Sequence, residues 1–262
     1  MIDLKSIKKG KEVTPPKILI YGVEGVGKST AAASWPSAIV TQTEDRLAHI
    51  SVDKFPLVSS FEEAMETLRV LYKEKHSYKT HVTDSVDWLE HLVHAKVCRE
   101  AGEEAIVSNK KGSDLTFGRG YVLAAKLMQK YLDALNTLRT QKGMTIVLVG
   151  HSVVKTFEDP LRENYDRYEL SVDKKVKAII KQWVDCAFFA SYEVFLRTEE
   201  KGFGGKDKKA LGSGKRIVYT EERPGFDAKN SYDLPFELPM IGADKGGLFS
   251  VFDKHYKKWC SE

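Results

Sequence analysis

The sequence predicts an α/β fold: a mostly parallel sheet flanked by helices, with a C-terminal β-hairpin extension. Two observations point there. The short apolar runs Lys17–Tyr21, Ala38–Thr41, Thr80–Thr83 and Thr145–Val149 alternate with segments whose apolar residues recur at helical spacing. From Tyr192 to Asn230 the pattern shifts to strands and turns. Strands that alternate with helices form βα units, and their sheet is covered on both faces.

The elements follow in order. Residues 1–16 read as a basic arm closed by Pro15-Pro16. KILIY (Lys17–Tyr21) is a buried strand that runs into a glycine loop, and AIVT (Ala38–Thr41) is a second strand. Phe61, Ala64, Met65, Leu68 and Leu71 place a helix over Ser60–Tyr72. THVT (Thr80–Thr83) is a third strand, followed by a helix over Val86–Val97. Residues 100–120 turn polar and Gly-rich, and Leu123, Leu127, Tyr131, Leu135 and Leu138 then mark one face of a long helix. TIVLV (Thr145–Val149) is the fourth and most apolar strand. A polar stretch reaches about Leu170, and a helix is expected from there to about Phe189. The expected organisation is an arm (1–16), a core (17–235) and a tail with a short helix (236–262).

Composition narrows the class. The chain has 262 residues, 42% hydrophobic and 30% charged, which suits a globular domain and excludes disordered and collagen-like chains. No apolar run reaches the ~18–20 residues of a membrane helix, and the basic start lacks the apolar core of a signal peptide. Three cysteines, Cys98, Cys186 and Cys260, match no zinc spacing. Free thiols and a cytoplasmic location are the expectation. The net charge, +4, is too small to identify a nucleic-acid partner by itself.

One motif carries chemistry. Gly22, Val23, Glu24, Gly25, Val26, Gly27, Lys28 and Ser29 fit G-x-x-x-x-G-K-[ST], with Thr30 following. The motif comes directly after a strand and opens a helix over Ser29–Ser34, as a phosphate-binding loop requires. Glycines let the backbone wrap a phosphate, and the helix start adds positive potential. Lys28 should reach the β- and γ-phosphates of ATP, and Ser29 should ligate Mg²⁺. Asp84, at the end of THVT, is the candidate carboxylate that orders Mg²⁺ from behind its direct ligands, although it could equally cap the next helix. No [NT]-K-x-D motif for guanine occurs, and no arginine-rich lid of a small-molecule kinase. An acidic pair, Glu44-Asp45, follows the second strand, and His151 stands at the tip of the fourth.

The segments KILIYGVEGVGKST, AIVTQTED, THVTDSVDWLE, YVLAAKLMQKYLDAL, TIVLVGHS and AKNSYDLP, taken in order, resemble the RecA-like P-loop ATPase core. The likeness is greatest to compact bacteriophage proteins of the single-strand annealing and recombination type. It runs from Lys17 to about Pro235. It implies that Glu44 activates the attacking water and that His151 senses the γ-phosphate. It also implies that Lys229 reaches across a subunit interface to a neighbour's nucleotide. Ser231 departs from the basic residue common there, which weakens that last role. The resemblance further implies a homo-oligomer, ring or filament, with nucleotide at its interfaces.

Three segments are candidates for single-stranded DNA. Asn109–Tyr121 mixes Lys110, Lys111 and Arg119 with Phe117 and Tyr121; cations for phosphates and rings for bases are what such sites use. Ser152–Leu170, after the sensor, carries Lys155, Arg162 and Arg167, and the next helix presents Lys174, Lys177 and Lys181 on one face. Lys201–Arg216 is a basic, Gly-rich hairpin. The function expected is an ATP-hydrolysing protein that binds single-stranded DNA and promotes annealing or recombination, with a single-strand-binding protein as a further partner. The alternatives are a nucleotide-gated binding module with negligible turnover and a helicase or loader at a replication fork.

Overall fold

The computed structural model describes residues 3, 7, 9–110, 112–159, 163–201 and 205–261, with the backbone alone for 194–201, 205–212 and 243. Strand β1 (Lys17–Gly22) leads through the glycine loop to α1 (Lys28–Ala33) and β2 (Ala38–Gln42). A short β3 (Asp53–Lys54), α2 (Phe61–Lys73), β4 (Thr80–Asp84), α3 (Val86–Ala101) and the long α4 (Arg119–Lys142) follow. Then come β5 (Thr145–Phe157), β6 (Tyr165–Leu170), α5 (Lys174–Trp183), β7 (Cys186–Lys201), β8 (Gly205–Tyr219), β9 (Glu237–Pro239) and α6 (Gly247–Ser261).

The sheet order is β3-β2-β4-β5-β1-β7-β8-β9, with β6 paired to the outer part of β5. From β3 to β7 every pair is parallel; β8 and β9 add antiparallel. The fold class is as the sequence predicts. Alternation along β1 explains the two layers. Leu19 and Tyr21 face a core built with α2, α3, α4 and α5, whereas Ile18 and Ile20 face a second core with α1 and α6. Thus α6 is packed into the molecule: its Phe252 is buried and lies in ring contact with Trp35 and Phe188. Lys11 donates to the Trp259 carbonyl and Tyr256 donates to that of Thr14, so this part of the arm lies on the chain's own α6.

Two expectations are corrected. The helix expected to reach Phe189 ends at Trp183, and Cys186–Phe189 belong to β7. The sheet supplies what the local pattern lacks. Cys186 and Phe188 fill one core, Ala187 and Phe189 the other, and β1 pairs them in register. The polar stretch after His151 is an antiparallel ribbon, since β5 runs on to Phe157 and pairs with β6 from Ser152↔Leu170 to Phe157↔Tyr165.

A buried acid ties α3 to α5. Glu90 accepts from the Asp173 N–H with both carboxylate oxygens, at 3.0 and 3.1 Å, where Asp173 caps α5. Burial, opposed by that N–H and reinforced by the Asp173 and Asp87 charges, pushes the carboxyl from 4.5 up to about 7. Across that interval the folded chain keeps a proton that the unfolded chain has released, so stability falls as pH rises. The penalty is absent below the unfolded value and complete by about pH 8, on the order of 3 kcal/mol. Glu90→Gln abolishes this titration. Melting curves at about pH 5 and about pH 8 should show the wild type losing several degrees more than the variant.

Candidate functional site

The site is assembled by register. Gly22, the last residue of β1, sits between His151 of β5 and Ala190 of β7. Three strand ends therefore converge on the loop from Gly22 to Lys28. Gly22 has no room for a side chain: a β-carbon there would lie 2.0 Å from the Ala190 carbonyl oxygen, and its φ is +154°. The Val23 N–H donates to that same oxygen at 3.2 Å, and Val26 is buried in the second core, which pins the loop at both ends. Gly27 turns the chain into α1 with φ +96°.

Lys28 is buried, and its ammonium donates to the carbonyls of Gly22 (3.1 Å) and Val23 (2.9 Å). Burial lowers its pKa, while Asp84, Asp87, Glu24 and Glu44 pull in the opposite sense. A phosphate entering the loop would replace those two carbonyls with full negative charge, a stronger partner. Asp84 is buried at the end of β4 and hydrogen-bonds the Ser29 hydroxyl. Burial pushes its carboxyl up to about 6, and the neighbouring Glu44 adds to the rise. A hydroxyl and a carboxylate oxygen are hard donors that suit Mg²⁺, and a cation would relieve the cost of ionising Asp84. Among the described residues no cluster of three or more His, Cys, Asp or Glu could hold a metal. Mg²⁺ would therefore draw its other ligands from nucleotide and water, as it commonly does.

Glu44, expected to act on water, is buried beside this pair. Its Oε1 accepts from the Ser85 hydroxyl at 3.2 Å and lies 3.9 Å from His151 Nε2. Its Oε2 is 3.2 Å from Arg46 Nε but accepts no hydrogen bond. Thr43 fixes the approach of this segment, as its hydroxyl donates to the Ser85 carbonyl at 2.8 Å. His151 is held by Asp87: its backbone N–H donates to Oδ1 at 3.0 Å, and Nδ1 meets Oδ2 at 2.8 Å. That hydrogen bond raises the imidazole pKa above 6.5 against the effect of burial. Burial pushes Asp87 up, but the His151 contacts outweigh it and leave the carboxyl below its ordinary value.

Gly25, Gly27, Lys28, Ser29, Thr30, Glu44, Asp84 and His151 line a cavity of about 340 Å³. A second cavity, of about 580 Å³, shares Gly27, Thr30 and Arg216 with it and continues between α1, β8 and the residues after β9. The larger volume adjoins the phosphate loop and does not contain it.

The structure also locates the remaining expected residues. Lys229, expected to reach a neighbour's nucleotide, makes its contacts here within its own chain. Its ammonium donates to the carbonyls of Lys181 (3.1 Å), Gln182 (3.4 Å) and Val184 (2.6 Å), which closes the C-terminus of α5. That is the end of the sheet away from the phosphate loop, and reaching a neighbour would break this cap. Arg167, expected to face DNA, is corrected. It is 6% exposed and paired with Glu169, Glu222 and Asp227, so it offers no cation to a DNA backbone. Lys177 and Lys181 likewise pair with Glu169 and Asp227, whereas Lys155 and Lys174 are exposed. Lys111 and Arg162 lie outside the described residues. Phe117 is 101% exposed with φ +52°, between Lys110, paired with Glu103 at 2.8 Å, and Arg119, 3.8 Å from Asp114.

Sequence reasoning did not single out Asp87, Tyr192 or Arg216. Asp87 had a signal, since it stands in the first turn of the helix that follows Asp84. Tyr192 and Arg216 had none, because only the hairpin register brings them to the loop.

Such a loop, at the end of a central parallel strand with a buried carboxylate two strands away on β4, defines a P-loop nucleotide-binding fold. The sequence agrees: a family model described as an AAA domain matches residues 14–232, so the chain belongs to the AAA domain family of P-loop ATPases. No curated protein matches the chain. No described helix is long and apolar enough to cross a membrane.

The Asp87–His151 pair makes a direct test possible. In Asp87→Asn the raising partner is gone and burial remains, so the imidazole should titrate lower than in wild type, at or under 6.5. An NMR titration of the histidine ring protons would follow it. An unchanged midpoint would mean that Asp87 does not control His151.

Proposed function

We propose that this chain is a RecA-like ATPase that grips single-stranded DNA in a nucleotide-dependent manner and promotes annealing or recombination in the cytoplasm. One observation carries the reading. His151 Nε2 is 3.9 Å from Glu44 at the phosphate site, and the same strand continues unbroken from His151 into the β5–β6 ribbon. A change at the γ-phosphate would thus reach a candidate DNA surface along one strand. Coupling of this kind needs two states that differ in affinity for both ligands.

The geometry supports the following roles. Lys28 and the loop N–H groups bind the phosphates, and Ser29 and Asp84 would hold Mg²⁺, which supplies charge neutralisation on the phosphate oxygens. Glu44 orients water and accepts its proton. His151 reports the γ-phosphate. The nucleoside occupies the adjoining cavity of about 580 Å³. Phe117 offers a ring on which a base can stack, and Lys110, Arg119, Lys155 and Lys174 offer cations to phosphates. None of these contacts reads a base edge, so little sequence preference is expected. Copies of the chain would assemble along the strand, beside a single-strand-binding protein.

A second reading has its own observation. Glu44 already faces Ser85 and Arg46, which favours a switch that binds nucleotide and turns it over very slowly.

Phosphate release from ATP, measured with no DNA, single strands and duplex, separates the two. Stimulation by single strands that vanishes in Lys28→Ala, with Glu44→Gln about 10²-fold slower or worse while still binding ATP, supports the ATPase reading. Turnover indifferent to DNA would overturn the DNA part. Binding without turnover in the wild type would favour the switch. Phe117→Ala should weaken single-strand affinity about tenfold, given ~1–3 kcal/mol per stacked base. Fluorescence anisotropy with labelled single strands checks it.

A further inference from the structure

The root of the β7–β8 hairpin stands over the phosphate loop. Tyr192 and Arg216 face one another across the two strands. The Tyr192 hydroxyl donates to the Gly25 carbonyl at 3.0 Å, and a β-carbon built on Gly27 would lie 3.1 Å from Arg216 Nη1. Arg216 lines both the phosphate cavity and the larger one beside it.

We infer that Arg216 binds the phosphate chain of the nucleotide held in its own subunit, with Tyr192 holding the loop in place beneath it. This rests on the reading that the loop binds Mg·ATP, and it adds a ligand outside the loop motif. The charges around Arg216 support it. Among the described residues Arg216 pairs with no carboxylate. The acids of the phosphate cavity have other partners, since Glu44 lies beside Arg46 and Asp84 bonds Ser29, while Glu237 lines the larger cavity. The adjacent Lys215 is 3.8 Å from Glu193. The backbone of Arg216 is fixed, since its carbonyl accepts from the Met240 N–H at 3.1 Å and Ile217 and Val218 after it are buried. An exposed guanidinium on a rigid strand, uncompensated and above a glycine, is poised for an anion. Its planar fork matches phosphate oxygens in pairs, which an ammonium cannot do.

The hairpin is thereby connected to nucleotide through a side chain. With phosphate present, Arg216 is held from below; without it, the Tyr192 hydroxyl still joins the root of the hairpin to the loop.

Calorimetric titration with Mg·ATPγS, Mg·GTPγS and Mg·ADP, on wild type, Arg216→Ala, Arg216→Lys and Lys28→Ala, tests the assignment. Arg216→Ala should bind ATPγS and ADP about tenfold or more weakly, with its melting temperature unchanged and its ATPγS:GTPγS ratio kept. Arg216→Lys should recover part of the loss. Wild-type affinity in Arg216→Ala, with Lys28→Ala defective, would overturn the role of Arg216 and leave the nucleotide site standing. A changed ATPγS:GTPγS ratio would overturn it in favour of a contact with the base. No binding by the wild type would remove the nucleotide reading itself, and this inference with it.

Discussion

Everything at the site depends on how closely three parallel strands end together. β1 is flanked by β5 and β7 in a register that sets Gly22 level with His151 and Ala190. The Ala190 carbonyl fills the space where any other residue at 22 would place its β-carbon. This contact lets the loop turn immediately at the sheet edge, with the Val23 N–H bonded to that same carbonyl and Val26 held in the core. A one-residue slip of β7 would move Ala190, Tyr192 and the whole hairpin off the loop at once.

The electrostatics follow from the same crowding. Lys28, Glu44, Asp84, Asp87 and His151 share a small volume with little water, and each has acquired a partner that makes its charge tolerable. The partners are weak where a ligand is expected and strong where geometry must be kept. Lys28 has only two loop carbonyls, and Asp84 only a hydroxyl. His151, in contrast, is fastened by a carboxylate at two points. Away from the site, Arg167, Lys177, Lys181, Glu169, Glu222 and Asp227 form a separate network that joins β6, α5 and the segment after β8. Its cations serve the fold, which is why a basic count along the chain is a poor guide to a DNA surface here.

Much of the fold was legible because its strands are strongly patterned. KILIY and TIVLV have few alternatives to a central parallel strand, and the Leu-rich face of α4 fixes a helix. The start of β7 was not legible: Cys186–Phe189 continue a helical pattern locally, and only pairing with β1 makes them strand. The site divides the same way. Gly22–Ser29, Asp84 and Glu44 are contiguous or stand at strand ends, so local pattern finds them. Arg167 and Lys229 look like free cations in sequence, yet their partners come from residues up to 60 positions away. Arg216 is the converse, hidden in a Gly- and Lys-rich tract until the hairpin register sets it across from Tyr192.

The hairpin has a mechanical consequence. β7 and β8 leave the sheet beyond Tyr192, where the register shifts between Tyr192 and Val194, and they stay paired as far as Lys201↔Gly205. At ~3.3 Å per residue the free arm is roughly 30 Å long. Its fulcrum is the residue pair that touches the phosphate loop. A pivot of only about 5° there would carry the far end through about 2–3 Å on an arm of that length, the width of a hydrogen bond. The arm therefore has the proportions of a pointer: displacements too small to notice at the loop become large enough at its tip to make or break a contact.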